Sequence, residues 1–279
     1  TDPLPPIELT SAPQEVRSLA STINRLLETV AHGQQMEKRF LNDLGLLTAP
    51  WDAVNSADDL RAAAEKLGLP AILKTARLGY DGKGQVKLDD DSQIGAAWAA
   101  MNNAPSVLEG FIAFDREISV IAARGLDGSV ACFAPGENVH RNGILRTTTV
   151  PARLSPALRS DAVLIAARIL NALDYVGVMG VELFVTAKGL LVNEIAPRVH
   201  NSGHWTQAGC TVDQFEQHIR AVAGLQLGDG GRYADVVMEN LIGDDVLRVP
   251  DLLKARDTAV HLYGKGAPRP GRKMGHVNR

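Results

Sequence analysis

The sequence predicts a mixed α+β or irregular α/β fold. Amphipathic helical segments and short apolar strands follow one another without the regular strand–helix–strand alternation of a doubly wound sheet. A glycine-rich loop joins two strands, where a dinucleotide fold would join a strand to a helix. Two further apolar runs, 176–185 and 190–195, are separated by Thr186-Ala187-Lys188-Gly189 and read as a hairpin.

In chain order, residues 1–13 hold four prolines and read as an extended lead-in. Helical spacing begins near Pro13. Val16, Leu19, Ile23, Leu26 and Val30 share one face, then Met36, Phe40, Leu41 and Leu44, with Gly33 as the break and Gly45 as the cap. Residues 48–51 read as an extended link. A helix over 56–66 starts on the N-cap Ser56 and ends at Gly68. Residues 69–74 form a strand that delivers Lys74 at its end, and 85–88 form the next. A helix over 92–102 precedes strands at 106–112 and 116–123, and Asp127-Gly128 turns the chain into 129–134. The polar stretch 137–146 reads as a loop with one short strand. Residues 156–173 form the longest amphipathic helix, with Leu158, Ala162, Ile165, Ile169 and Leu173 on one face. A helix over 212–222 and strands at 236–242 and 259–263 lead to a basic, glycine-bearing segment, 268–276.

Composition narrows the function. The chain has 279 residues, 45% of them apolar and 22% charged, as expected of a globular protein with a real core. A net charge of −3 gives no general field for nucleic acid or an anionic membrane, so neither is expected as a partner. Two cysteines, Cys132 and Cys210, are too few for a disulfide framework and fit a reducing cytoplasm. No apolar run reaches the roughly 18 residues of a membrane span.

Three places carry chemistry. Glu182 and Glu194, with Asn193 beside the second, fall on the two arms of the hairpin. They suit either a solvated surface or a hard-oxygen site for Mg²⁺ held partly by phosphates. The loop that follows, from Pro197 to Trp205, carries Arg198, His200, Asn201, Ser202 and His204 and reads as an active-site wall. The segment Gly79-Tyr80-Asp81-Gly82-Lys83-Gly84 suits either a loose hairpin turn or a cover of backbone N–H groups over phosphates.

Lys74, the loop 79–85, Glu109-Gly110-Phe111-Ile112, Glu117, Glu182 and Asn193-Glu194 occur in the order and spacing of an ATP-grasp nucleotide site. The strings Gly79 to Gln85, Gly143-Ile144-Leu145-Arg146, Ala196 to Thr206 and Pro270-Gly271-Arg272-Lys273-Met274-Gly275-His276 are more specific. On them the chain resembles the N5-carboxyaminoimidazole ribonucleotide synthetase family, the ATPase subunits of phosphoribosylaminoimidazole carboxylase, over about 37–276.

That resemblance implies an ATP-grasp fold with a small lid subdomain, about 68–112, and a larger mixed-sheet subdomain. The ATP-grasp domain would span 37–264, after a lead-in and helix at 1–36. Residues 265–279 would open a small domain carrying the ribotide-phosphate motif. The family also carries an N-terminal Rossmann-like domain and further C-terminal residues. An Arg that helps bind ATP in the family is replaced by the Gly33-Gln34 region. The implied activity is ATP-dependent carboxylation of 5-aminoimidazole ribonucleotide with bicarbonate through carboxyphosphate, by a cytoplasmic homodimer.

ATP would be held by Lys74, Gly79, Tyr80, Asp81, Gly82, Lys83, Gly84, Gln85, the hinge Glu109 to Ile112, Glu117, His140, Asn193 and Glu194. Mg²⁺ would sit on Glu182 and Glu194. Arg198 and His200 would act on carboxyphosphate, a guanidinium gripping it and a histidine moving a proton. Arg272 and Lys273 would hold the ribotide phosphate, with Tyr80 and Asp81 touching the imidazole. Two rivals remain at this stage: another ATP-grasp ligase, of the formate-dependent glycinamide ribotide or biotin carboxylase type, and a nucleotide-binding module without turnover.

Overall fold

The computed structural model describes residues 33–75 and 84–279. The chain forms two compact units, one of Thr1–Asp115 with Thr186–Glu194 and the other of Arg116–Val185 with Ile195–Arg279.

In the first unit, α1 is described over 33–43. Gly45 closes it at φ +69°, with Leu46 N donating to Leu41 O at 3.0 Å, as its glycine led us to expect. Then come β1 (Trp51–Val54), α2 (Ala57–Leu67), β2 (Ala71–Thr75), β3 (Gln85–Leu88), α3 (Ile94–Ala100) and β4 (Ser106–Gly110). Ser56 caps α2 through Asp59 N. The sheet is antiparallel in the order β1-β4-β2-β3. Leu60, Ala63 and Ala64 of α2 and Ile94 and Ala97 of α3 bury against Val54, Leu73, Leu88 and Leu108 of the strands.

Two expectations are corrected in this unit. Residues 48–51 do not remain a link, because Trp51 opens β1, which pairs Trp51 with Glu109 across more than fifty residues of chain. The strand expected over 106–112 stops at Gly110. Gly110 N still bonds to Pro50 O at 2.8 Å and Phe111 N to Pro70 O at 3.1 Å, but neither proline has an N–H to return, so the ladder ends there.

The second unit holds β5 (Arg116–Arg124), β6 (Val130–Cys132), β7 (Gly136–Arg141), β8 (Ile144–Val150), α4 (Pro156–Ala172) and β9 (Gly177–Thr186). β10 (Gly189–Ala196) follows β9 after the two-residue link Ala187-Lys188, as the hairpin reading requires. Beyond it lie α5 (Thr206–Gly209), α6 (Gln214–Val222), β11 (Val236–Ile242), α7 (Val249–Leu252), β12 (Ala259–Leu262) and β13 (Lys273–Asn278). The strands run β9-β5-β7-β8-β11-β13-β12, with β6 also on β5. Trp205 is buried edge-on to Phe133 at 6.3 Å in a core with Ile121, Val178, Val236 and Met238.

Two more expectations change here. Residues 137–146 are not a loop with one strand but the β7–β8 hairpin, turned by Asn142 and Gly143 at φ +53° and +73°. Those positive angles are what a two-residue primed turn needs, and Asn-Gly supplies them. The basic segment does not stay a tail. From Lys273 it becomes β13, hydrogen-bonded on both sides, to β11 and to β12.

Candidate active site

Lys74 stands near the end of β2, and the sheet register sets Ile72 opposite Glu109. Lys74 is therefore the diagonal neighbour of Glu109, and its Nζ reaches Glu109 Oε2 at 3.0 Å. A second ammonium, Lys38 from α1, lies 3.3 Å from Glu109 Oε1 and donates to Asn193 O at 2.9 Å. Burial pushes the Glu109 carboxyl up, but the charges of Lys74 and Lys38 and the hydrogen bond from Lys74 outweigh it and hold Glu109 below the usual carboxylate range. Gln85 pairs with Lys74, and Gly84, at φ +75°, accepts from Thr75 N at 2.8 Å. Gly79, Tyr80, Asp81, Gly82 and Lys83 lie outside the described residues. Gly110 ends β4, Phe111 and Ile112 follow it, and Glu194 is exposed on β10.

In the second unit, β5 carries Glu117 and its neighbour β9 carries Glu182, which pairs with Ser119. Glu117 Oε2 contacts His140 Nδ1, which β7 brings alongside. Burial alone lowers the affinity of His140 for its proton, yet Glu117 and Glu182 reverse this and raise its pKa. His200 Nε2 lies 3.6 Å from Glu182 Oε1, too far for a hydrogen bond. Burial above all, then the charges of Arg198, Lys273 and His140, pushes His200 down to about 3. The Glu182–His200 contact is therefore one of a carboxylate with a neutral imidazole.

That imidazole is tightly framed. Ser202 Oγ lies 2.8 Å from His200 Nδ1, and a Cβ on Gly180 would stand 2.8 Å from His200 Cβ and Cγ, so only glycine lets the ring lie there. Gln214, fully buried at the start of α6, accepts from His200 N at 2.9 Å and donates to His200 O at 2.8 Å and His204 Nδ1 at 2.9 Å. His204 stacks on Phe215 at 5.4 Å and on His276 at 4.6 Å, and His276 stacks on His261 at 4.6 Å. Gln207 Oε1 can only accept, so His276 Nε2 carries its hydrogen and Nδ1 accepts from the Tyr263 hydroxyl at 2.7 Å. Asn201 and the buried Asn240 exchange amide hydrogen bonds of 2.9 and 2.7 Å.

The positive side chains differ in setting. Arg198 is exposed, with Nη1 donating to Val199 O at 3.0 Å. Lys273, half-buried at the start of β13, acts by its charge on His140, His200 and His204, and Arg272 immediately precedes it.

Each unit thus gathers part of the expected set. Lys74, Glu109 and Asn193 meet in the first, through Lys38. Glu117, His140, Glu182, His200 and Lys273 cluster in the second. Lys38 and Gln214 escaped the sequence reading, since each sits in an ordinary helical pattern and its partners are remote in sequence, up to 155 positions away for Lys38.

Comparison with known proteins adds independent evidence. Residues 39–215 match the ATP-grasp domain family, and residues 236–279 match the phosphoribosylaminoimidazole carboxylase C-terminal domain. The chain is 57% identical to the N5-carboxyaminoimidazole ribonucleotide synthase of Brucella melitensis over 246 residues, covering 87% of this chain and 68% of that one. The Bacillus subtilis enzyme of the same name is 41% identical, with 89% and 66% covered. An ADP complex of an N5-carboxyaminoimidazole ribonucleotide synthetase superposes with a TM-score of 0.86 at 39% identity, over 91% of this chain and 68% of that one. A complex of the Aspergillus clavatus enzyme with ADP and 5-aminoimidazole ribonucleotide gives 0.84 at 30%, over 90% and 68%. The chain thus spans about two thirds of the length of these relatives. A buried carboxylate between two lysines, a histidine-rich second unit and these matches lead to one conclusion: the chain belongs to the N5-carboxyaminoimidazole ribonucleotide synthase family of ATP-grasp ligases.

Proposed function

We propose that this chain binds ATP and carries out the ATP-dependent carboxylation of 5-aminoimidazole ribonucleotide with bicarbonate, a step of purine biosynthesis. The observation that carries this reading is the polar cluster of the second unit, where Glu182, His140 and Lys273 surround a neutral His200, in a chain 57% identical to a synthase of that name. Lys74 binds the nucleotide phosphates as a point charge, and the loop 79–85 covers them. The hinge from Glu109 to Ile112 reads adenine by backbone groups, and Glu117, with His140 on its carboxylate, accepts from the ribose hydroxyls.

Glu182 and Glu194, on the two arms of one hairpin, are the hard-oxygen donors that would hold Mg²⁺, with Asn193 beside them. When bound, that ion neutralises charge on the terminal phosphates. A bicarbonate oxygen attacks the γ-phosphorus, the bond to the β-phosphate bridging oxygen breaks, and ADP and carboxyphosphate result. Carboxyphosphate then loses phosphate to give CO₂. The exocyclic amine of the ribotide attacks that carbon and gives up a proton.

Arg198 grips carboxyphosphate, and Arg272 and Lys273 hold the ribotide phosphate. His200, which its burial holds neutral, serves as a hydrogen-bonding group at the site rather than as a cation. Tyr80 and Asp81 approach the imidazole from the loop. The chain acts in the cytoplasm as a homodimer. Among the described residues no helix is long and apolar enough to cross a membrane.

Bicarbonate-dependent release of ADP and phosphate, measured with and without the ribotide, tests this reading. Turnover with 5-aminoimidazole ribonucleotide supports it. Equal turnover with glycinamide ribonucleotide and formate, or none at all, points to a different ligase or to a binding module.

A further inference from the structure

Glu109 is 4% exposed and faces two ammonium groups, Lys74 at 3.0 Å and Lys38 at 3.3 Å. The two cations are held differently. Lys38 is 2% exposed and is tied on its other side to Asn193 O at 2.9 Å, so it is fixed between β4 and β10. The Lys74 side chain keeps 17% of its surface exposed, near the end of β2 just before the nucleotide loop. With one carboxylate and two ammoniums, the cluster carries one excess positive charge.

We propose that Lys38 is the resident counter-ion of Glu109, a positioning residue that leaves Lys74 available to a nucleotide phosphate. A buried carboxylate with a single cationic partner cannot release that partner without becoming an unpaired buried charge, a costly state. If Lys74 were alone with Glu109, the pair would be closed and neutral, and each approach of Lys74 to a phosphate would expose that cost. Lys38 removes it, because Glu109 stays compensated when Lys74 turns away. Lys38 also holds the carbonyl of Asn193, so one ammonium fixes two elements of the first unit's site. The inference rests on the reading of Lys74 as a phosphate ligand.

Calorimetric titration with ADP and Mg²⁺ tests it on the wild type and on K38M, K38R, E109Q, K38M/E109Q and K74M, with each fold checked by circular dichroism and melting temperature. K38M should weaken ADP about tenfold or more, the loss of roughly one charge-assisted bond, although the Lys38 ammonium is committed to Glu109 and Asn193 O. K38R should keep most of the affinity. The decisive comparison is E109Q with K38M/E109Q. Once the anion that captures Lys74 is gone, Lys38→Met should change ADP affinity little, and this pair remains informative if K38M alone folds poorly. Wild-type affinity in folded K38M, or a loss in K38M/E109Q as large as in K38M, overturns the counter-ion role. Unchanged affinity in K74M overturns instead the reading of Lys74 on which the inference stands.

Discussion

Gln214 holds His200 by both of its backbone groups, accepting from the N–H at 2.9 Å and donating to the carbonyl at 2.8 Å. A side-chain amide presents one donor and one acceptor edge, and here both edges are spent on one residue of the wall loop. Its remaining hydrogen goes to His204.

Gln214→Leu keeps the volume and removes every one of those bonds. The buried N–H of His200 is left without a partner, its carbonyl keeps only the bond from Gly203 N, and a loss of about 2–4 kcal/mol is expected. Chemical denaturation should show it as a lower midpoint. Carboxylation should fall beyond what the lost folded fraction explains, while ADP affinity stays near wild type. A stability loss with unchanged specific activity would make Gln214 a core residue only.

Glu194→Gln retains shape and hydrogen bonding but removes a ligand charge. Phosphate release should drop by ~10²-fold or more while the melting temperature holds. Normal turnover in the folded variant would take Glu194 out of the metal site.

Arg198→Ala addresses the step after phosphoryl transfer. Its guanidinium is exposed and, among the described residues, donates to the neighbouring Val199 carbonyl, so its loss should leave the fold and ADP affinity near wild type. Ribotide carboxylation should fall by ~10²-fold, the scale for removing a charge from a transition state. Parallel losses in ADP binding would make Arg198 a nucleotide ligand.

Stability should fall with acid in a defined window. Burial above all holds His200 and His276 at about 3 and His204 at about 4, so the folded state keeps them neutral. The unfolded chain protonates the same rings near ~6.5. Between about pH 6.5 and 4 the unfolded state binds more protons, so stability rises with pH there and is lost as pH falls. Melting curves at several pH values should show this, and His276→Gln should make the slope shallower. An unchanged slope would mean that His276 is not among the groups responsible.

Local signals explain what could be read in advance. Ser56 and Gly68 bracket α2, Gly45 closes α1, and the strand carrying Glu182 and its hairpin partner follow from apolar runs and one turn. Where the reading failed, polarity or distance hid the signal. β7 and β8 carry Glu137, Asn138, Arg141 and Arg146, so their apolar alternation is weak, although Asn142-Gly143 marked the turn. β1 has four residues and no strand signature, and its partner is β4. The site's motifs were legible because their residue types are unusual together. Lys38 and Gln214 were not, because a lysine and a glutamine on a helix look like surface until their partners are in place.

The insertion of β13 between β11 and β12 has a consequence for synthesis on the ribosome. A nascent chain that has just emitted β12 offers that strand no hydrogen-bonding neighbour, since its one partner is still to come. The sheet can close only when residues 273–278 arrive, and loop-closure entropy must be met before that pairing returns anything. Lys273 is the first residue of β13, so the charge that acts on His140, His200 and His204 arrives with that pairing. A chain released before that point would hold β12 without its partner strand and would lack this charge.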